Sequence, residues 1–341
     1  MARILVTGGT GYIGSHTVVE LMQKGYDVVI VDNLSNSNQD VLDGIAAIVG
    51  ARPDFVQADC CNMVAINEVF AQYTDIVGVI HFAASKAVNE SVEQPLMYYR
   101  NNLMSLVTIL EAMQQHAVNN IVFSSSCTVY GQPESKYLPV DESAPLQKAL
   151  SPYGNTKQIN EDIIRDTAHA NQALRATILR YFNPIGAHPS AMIGELPNGV
   201  PQNLLPYVTQ TAAGLRAELK IFGNDYNTPD GSCIRDYIYV VDLAKAHVKA
   251  VERMLSGVAA EQIELFNLGT GRGLSVLEIV DTFIKVTGVD VPYQIVGRRE
   301  GDIEQVWAKA DKANKVLGWT ADTPIEEVLM SAWKWEQKLR G

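Results

Sequence analysis

The chain has 341 residues, 47% hydrophobic and 19% charged, enough for a large α/β unit with an appended lobe and too apolar for disorder to dominate. Lys plus Arg (27) against Asp plus Glu (38) leaves a net charge of −11, which excludes binding to nucleic acid or an acidic membrane through bulk charge. An anionic ligand must then be held by a few local cations or by backbone N–H groups.

The run Arg3-Ile4-Leu5-Val6 is already strand-like, leaving no room for a signal peptide, and no apolar stretch reaches the ~20 residues of a bilayer span. Short apolar runs follow at Ile4–Thr7, Asp27–Asp32, Asp54–Ala58, Gly78–Phe82 and Asn120–Ser125. They are apolar throughout, which predicts parallel strands covered on both faces. Between the last two, Leu103, Leu106, Val107, Leu110 and Met113 predict a helix with one buried stripe. This order predicts a doubly wound parallel, Rossmann-like sheet, with an NAD-binding domain over 1–180. Pro and Gly become frequent after residue 180, which predicts a smaller C-terminal substrate-binding lobe over 181–341, with one strand near 263–267 returning to the main sheet. The four cysteines, Cys60, Cys61, Cys127 and Cys233, have neither disulfide-framework nor metal-ligand spacing, so no metal is expected. The chain reads as soluble, reduced and cytoplasmic, with no nucleic-acid or membrane partner.

Thr7-Gly8-Gly9-Thr10-Gly11-Tyr12-Ile13-Gly14 follows the first strand and opens a helix ending near Gly25. Glycines there let backbone N–H groups approach a pyrophosphate at the positive helix terminus. The second strand ends at Asp32, 18 residues beyond Gly14, where an acid accepts from ribose hydroxyls and repels a 2′-phosphate, favouring NAD over NADP. Asp59 follows the third strand, where adenine and plain solvent are equally good partners for it.

Ser151-Pro152-Tyr153-Gly154-Asn155-Thr156-Lys157 is the most informative stretch. Ser151 suits an N-cap and Pro152 the first helical position, so Tyr153 and Lys157 share a helix face. An ammonium and a helix N-terminus both favour phenolate, which would make Tyr153 a base with a lowered pKa. Of the 14 tyrosines, Tyr153 alone has Lys four residues on. Ser126 ends the serine run 124–126 at the carboxyl end of a predicted strand and can pass a proton between substrate hydroxyl and Tyr153.

The motifs TGGTGYIGSH (7–16), HFAASKAVNES (81–91), YYRNN (98–102), SSSCTVYG (124–131), PYGNTK (152–157), RYFNPIGAH (180–188) and DGSCIRDYIYVVDL (230–243) resemble those of UDP-galactose (UDP-glucose) 4-epimerases, members of the extended short-chain dehydrogenase/reductases. The resemblance spans essentially the whole chain. It implies tightly held NAD, used and regenerated within each turnover. Tyr153 would take the proton from the hexose O4 as the C4 hydride leaves, and the 4-keto sugar would turn about its diphosphate link before reduction on its other face. Lys157 would hold the cofactor ribose and keep Tyr153 acidic, and Ser126 would hydrogen-bond O4. Matching positions imply NAD contacts from Gly8, Gly11, Tyr12, Ile13, Gly14, Asp32, Asn33, Leu34, Ser35, Asn36, Ser37, Asp59, Cys60, Phe82, Ala83, Ala84, Lys86 and Asn101, with Phe182 near the nicotinamide.

For the UDP-sugar, the resemblance implies Lys86, Asn183, Asn203 and Leu204 near sugar and phosphates, Arg235 and Arg299 clamping the diphosphate, Phe222 and Asp302 lining the uridine, and Tyr237 among the substrate-binding residues. At Val306 a tyrosine closes the sugar pocket in resembling sequences, so valine implies that UDP-GlcNAc and UDP-GalNAc are accepted besides UDP-glucose and UDP-galactose. Residues 98–116 and 154–170 resemble a dimer-forming helix pair, implying a homodimer. Two departures stand out. Cys61 and Asn62 replace a charged turn, which weakens the assignments around Cys60, and Cys127 replaces a smaller residue, which should alter packing more than chemistry. Two other readings stay open at this point: an epimerase or decarboxylase for another UDP-sugar, and a non-catalytic NAD-sensing protein.

Overall fold

The computed structural model describes residues 2–299 and 302–341. The apolar runs become strands β1 (Arg3–Thr7), β2 (Asp27–Asp32), β3 (Asp54–Gln57), β4 (Ile76–His81), β5 (Asn120–Ser126) and β6 (Arg175–Tyr181). Interleaved helices are α1 (Tyr12–Gln23), α2 (Val41–Val49), α3 (Met63–Gln72), α4 (Val88–Glu93), α5 (Pro95–Gln115) and α6 (Pro152–Ala170). The chain continues through β7 (Asn183–Ile185), α7 (Leu204–Ala212), β8 (Leu219–Phe222), β9 (Ile234–Arg235), β10 (Tyr237–Tyr239), α8 (Val240–Leu255) and β11 (Ile263–Leu268). It closes with β12 (Leu274–Ser275), α9 (Val276–Thr287), β13 (Tyr293–Val296), β14 (Gln305–Val306) and α10 (Ile325–Arg340).

Seven parallel strands form one sheet in the order β11-β6-β5-β4-β1-β2-β3. Alternate side chains of each strand enter different layers. Ile4, Val6, Ile30 and Val122 pack with α1 and α8 on one face, and Leu5, Val29, Ile121 and Phe123 pack with α3, α5 and α6 on the other. The chain leaves β1 toward β2 on one side while β4 pairs on the other, so a crevice opens between β1 and β4 at their carboxyl ends.

Two expectations need correction. β3 is an edge strand, with Asp54 and Gln57 exposed and Phe55 and Val56 half-buried, because no further strand covers it. On α5, Leu106, Leu110 and Met113 are buried, but Leu103 and Val107 stay half-exposed, and Asn102, Ser105 and Thr108 are buried instead. The cause is polar: Asn102 is paid in hydrogen bonds, accepting from Ser85 N at 2.8 Å and donating to Ser85 O at 3.0 Å and to Thr156 Oγ1 at 3.1 Å.

Most of the later elements form small sheets, β7 with β10, β9 with β12 and β14, and β8 with β13, around a separate apolar cluster that includes Leu205, Ile221, Tyr237, Phe283 and Leu329. β11 leaves this region and pairs with β6 from Ile263↔Ala176 to Leu268↔Tyr181. Among the described residues no helix is long and apolar enough to cross a membrane.

Candidate active site

The glycine turn sits at the crevice. Gly8 has φ +70°, and its N–H donates to Val31 O at 2.8 Å. A Cβ at Gly8 would lie 2.8 Å from Ala83 N, and one at Gly14 would lie 2.2 Å from Gly8 O. Side chains are therefore excluded where backbone must meet a ligand. Gly11 begins α1 with no side-chain cap, which leaves the first-turn N–H groups, including those of Tyr12 and Ile13, without intrahelical acceptors.

The buried Asp32 carboxylate closes this turn, accepting from Thr10 N at 3.3 Å, Leu34 N at 2.9 Å and Ser37 Oγ at 3.2 Å. Leu34 pays for the bend with φ +60°, and Asn33 Oδ1 accepts from Ser35 N at 3.0 Å; Asn36 continues the loop. This cradle, an uncapped helix terminus and an acid beside it fit a dinucleotide. Asp59 Oδ1 accepts from Cys61 N at 2.8 Å, and Asn62 caps α3, accepting from Val64 N and Ala65 N. Buried Cys60 lies beneath this turn, so the departures at Cys61 and Asn62 build a standard capped turn.

β4 leads into half-buried Phe82, Ala83 and Ala84, and Phe82 packs on His247 with centroids 4.7 Å apart. Asn101 donates to Ser85 Oγ at 3.3 Å and to Asn102 Oδ1 at 3.0 Å. Asn102, which no local signal marks, thus joins the 83–87 loop to α6.

α6 starts as the Ser-Pro pair predicts: Pro152 is its first residue, and Ser151 Oγ accepts from Gly154 N at 3.1 Å. Lys157 is buried and donates from Nζ to Ser124 O at 2.6 Å. Its Nζ is 5.8 Å from the Tyr153 ring centre. The structure corrects the expectation of a lowered tyrosine pKa. Burial pushes the Tyr153 phenol well above its usual value, although a hydrogen bond with Ser126 opposes the shift. Burial also brings Lys157 down to about 8, against the field of Glu161. Desolvation, which spacing does not reveal, dominates both groups.

The lobe presents three groupings. In the first, Glu195 Oε1 accepts from Asn203 Nδ2 at 2.6 Å and pairs with Lys86 Nζ at 3.5 Å, while Lys86 lies 5.7 Å from the Tyr12 ring centre. Asn203 is the N-cap of α7 and Leu204 its first residue. In the second, Arg235 is opposite Val306 in the β9–β14 pair, and nearly fully buried Val306 clusters with Val129 and Phe182, with Cys127 against them. Burial pushes the Cys127 thiol up to about 12, so it stays neutral and acts by packing. Asn183 is opposite buried Tyr237 in the β7–β10 pair. In the third, Arg299 donates to Asp302 Oδ1 at 2.7 Å and lies 5.3 Å from the Phe222 ring centre.

Sequence reasoning missed Glu195 and also Asp236. The buried Asp236 carboxylate accepts from Thr270 N at 2.9 Å, Gly271 N at 3.2 Å and Ala308 N at 3.1 Å, holding the strand ends that carry Arg235, Tyr237 and Val306. Partners so distant in sequence leave no local signature.

A glycine cradle at the crevice of a parallel sheet, with Ser126, Tyr153 and Lys157 at the neighbouring carboxyl edge, defines a dinucleotide-dependent enzyme of the extended short-chain dehydrogenase/reductase class. The chain belongs to the NAD dependent epimerase/dehydratase family, whose model matches residues 4–269, and within it to the UDP-glucose 4-epimerases. It is 51% identical to the UDP-glucose 4-epimerase of Bacillus subtilis, covering 98% of this chain and 96% of that one. The Bifidobacterium longum UDP-glucose 4-epimerase structure, in complex with NAD+ and UDP, matches with a TM-score of 0.94 and 44% identity over 99% of this chain and 98% of that one. The Stenotrophomonas UDP-glucose 4-epimerase structure, with NAD and formylated UDP-arabinopyranose bound, gives a TM-score of 0.95 and 46% identity over 100% and 99%.

Proposed function

We propose that this protein is an NAD-dependent isomerase that interconverts UDP-galactose and UDP-glucose at C4 of the hexose. The observation that carries this reading is the convergence of Ser126, Tyr153 and Lys157 beside the glycine cradle. The near full-length match to UDP-glucose 4-epimerases supports the choice of substrate.

NAD, when bound, supplies the acceptor and then the donor of the C4 hydride. The turn at Gly8–Gly14 gives it backbone N–H groups, and Asp32 takes the adenosine ribose hydroxyls. Tyr153 removes the O4 proton and returns it after the sugar has turned, with Ser126 bonded to the same oxygen. Lys157 holds positive charge beside the phenol. In the lobe, Arg235 and Arg299 offer planar guanidinium groups to the diphosphate, while Phe222 and Asp302 frame the uridine. Asn183, Asn203 and Tyr237 surround the sugar and phosphates. Val306 leaves the pocket open to 2-acetamido sugars. The working form is a cytoplasmic homodimer joined through α5 and α6.

The test is incubation of purified protein with UDP-galactose and no added NAD, followed by chromatography. UDP-glucose is expected, together with about one acid-released NAD per chain. Conversion that depends strictly on added NADP, or no conversion by protein carrying NAD, would overturn the reading.

A further inference from the structure

The helix that carries Tyr153 and Lys157 has a third buried side chain in line with them. Residues 153, 157 and 161 are four apart, so they share one face of α6. Each meets one of three consecutive β5 residues. Tyr153 interacts with Ser126, Lys157 Nζ donates to Ser124 O at 2.6 Å, and Glu161 Oε1 accepts from Ser125 Oγ at 2.6 Å.

Glu161 is fully buried. Besides Ser125, it accepts from Arg180 Nε at 2.8 Å, Arg180 Nη2 at 2.5 Å and Arg165 Nη2 at 2.8 Å. Arg180, itself buried, donates on to the Tyr130 hydroxyl at 3.0 Å. A buried ion pair is a weak device for stability alone, since apolar residues of similar volume often serve as well or better. Its placement one turn from Lys157 points elsewhere.

Lys157 has little else to keep it charged. Its hydrogen-bond partner is a neutral carbonyl, and the Phe123 ring centre lies 5.0 Å from Nζ. On β4, His81 is buried and held neutral, its pKa lowered to about 3. On β6, Tyr181 bonds with Ser124 and is a neutral phenol, pushed up to about 12, while Arg180 is spent on Glu161. On α6 itself, Tyr153 is a neutral phenol, and Glu161 is the charged group whose field favours the ammonium.

We propose that Glu161 is a positioning residue for the reaction, whose carboxylate keeps Lys157 charged and locks α6 in register on β5 so that Tyr153 meets Ser126. This rests on the reading of Tyr153 as the base. Removing the carboxylate lets Lys157 lose its proton at lower pH, and the phenolate then forms only at higher pH.

The test uses purified NAD-loaded protein and Glu161→Gln. We expect kcat to fall about 10–100-fold with KM for UDP-galactose within about twofold, the pattern of a lost transition-state contribution. The alkaline limb of kcat should move down by about one pH unit, and Glu161→Asp should restore it. The second readout is ultraviolet tyrosinate absorbance, taken as the difference from Tyr153→Phe in each background; in Glu161→Gln the signal should rise at higher pH. Wild-type kcat and limb in Glu161→Gln would overturn the proposal. So would loss of activity together with thermal stability while limb and tyrosinate titration stay put. If Glu161→Gln does not fold, Glu161→Gln with Arg180→Met removes both charges of the pair. Shifts in the same directions, smaller because the Arg180 cation goes too, are expected there, and unshifted profiles overturn the proposal. The tyrosinate titration needs no turnover, so a wild-type protein inactive on UDP-galactose overturns the functional reading without deciding the role of Glu161.

Discussion

A phenol as deeply buried as Tyr153 is a poor base by itself, and its chemistry depends on what surrounds it. Tyr153→Phe should lower turnover by roughly 10²–10⁴-fold with NAD content and far-ultraviolet circular dichroism unchanged. Lys157→Met should act in the same direction, and near-normal turnover in either variant would remove that residue from the mechanism. At Val306 the prediction concerns substrate range. The wild type should convert both the acetylated and the plain UDP-hexose pairs, since extra room costs the smaller sugar only ~1–3 kcal/mol. Val306→Tyr should abolish the acetylated reaction and spare the other; because Val306 is buried among Val129 and Phe182, its thermal midpoint must be followed in parallel. Conversion of only the plain pair by the wild type would end the open-pocket idea. The placement of the proposed catalytic residues was legible because Ser151 and Pro152 announce a helix start and Tyr153 and Lys157 fall one turn apart. Their titration was not legible, because burial is made by β5, β6 and the lobe, far away along the chain.

At the scale of elements, the strands were readable because both faces of a central parallel strand are apolar; β3 is a strand as expected, but its expected burial failed because one edge has no neighbour. α5 was misread for a different reason. Hydrophobic periodicity assumes that the buried stripe is apolar, whereas α5 buries Asn102, Ser105 and Thr108 to bind the 83–87 loop and α6. The displaced apolar residues face outward: Met104 is 46% exposed, and Leu103 and Val107 are half-exposed. Such a face on α5 suits a helix pair between two copies of the chain. Size-exclusion chromatography with light scattering should therefore report twice the 37.3 kDa chain mass. Met104→Glu with Val107→Glu should shift the protein toward monomer. A monomeric wild type at micromolar concentration would exclude the dimer.

For the molecule as a whole, three buried histidines set its response to acid. Burial lowers His16 and His81 to about 3 and His247 to about 4, and Nε2 of both His16 and His247 has no hydrogen-bond partner. In the unfolded chain each takes a proton below about 6.5, so the unfolded state binds more protons and stability falls as pH falls from there toward the folded values. Above about 6.5 both states hold neutral imidazoles and the dependence vanishes. Lowered carboxylates such as Glu161 add to the loss only near and below their own unfolded value of about 4.5. Urea midpoints should thus drop between about pH 6.5 and 5, each histidine contributing up to about 2 kcal/mol by the lower limit. A level midpoint down to pH 5 would show that these imidazoles open to water before the fold gives way.

The outermost strand of the main sheet also has a consequence for synthesis on the ribosome. β6 emerges with its outer edge bare, and the strand that covers it, β11, is made about 80 residues later, after the elements from β7 to α8. At about 5–20 residues per second the nascent chain carries a long apolar edge unpaired for several seconds. That interval is an invitation to pair with another nascent copy, and a holdase chaperone has its natural moment there. A ribosome halted after α8 should yield a chain that aggregates, whereas one halted after β11 can close the sheet. The seven-stranded sheet is therefore complete only once Leu268 has been made, so a chain stopped before β11 lacks an edge strand of the sheet that carries the glycine turn.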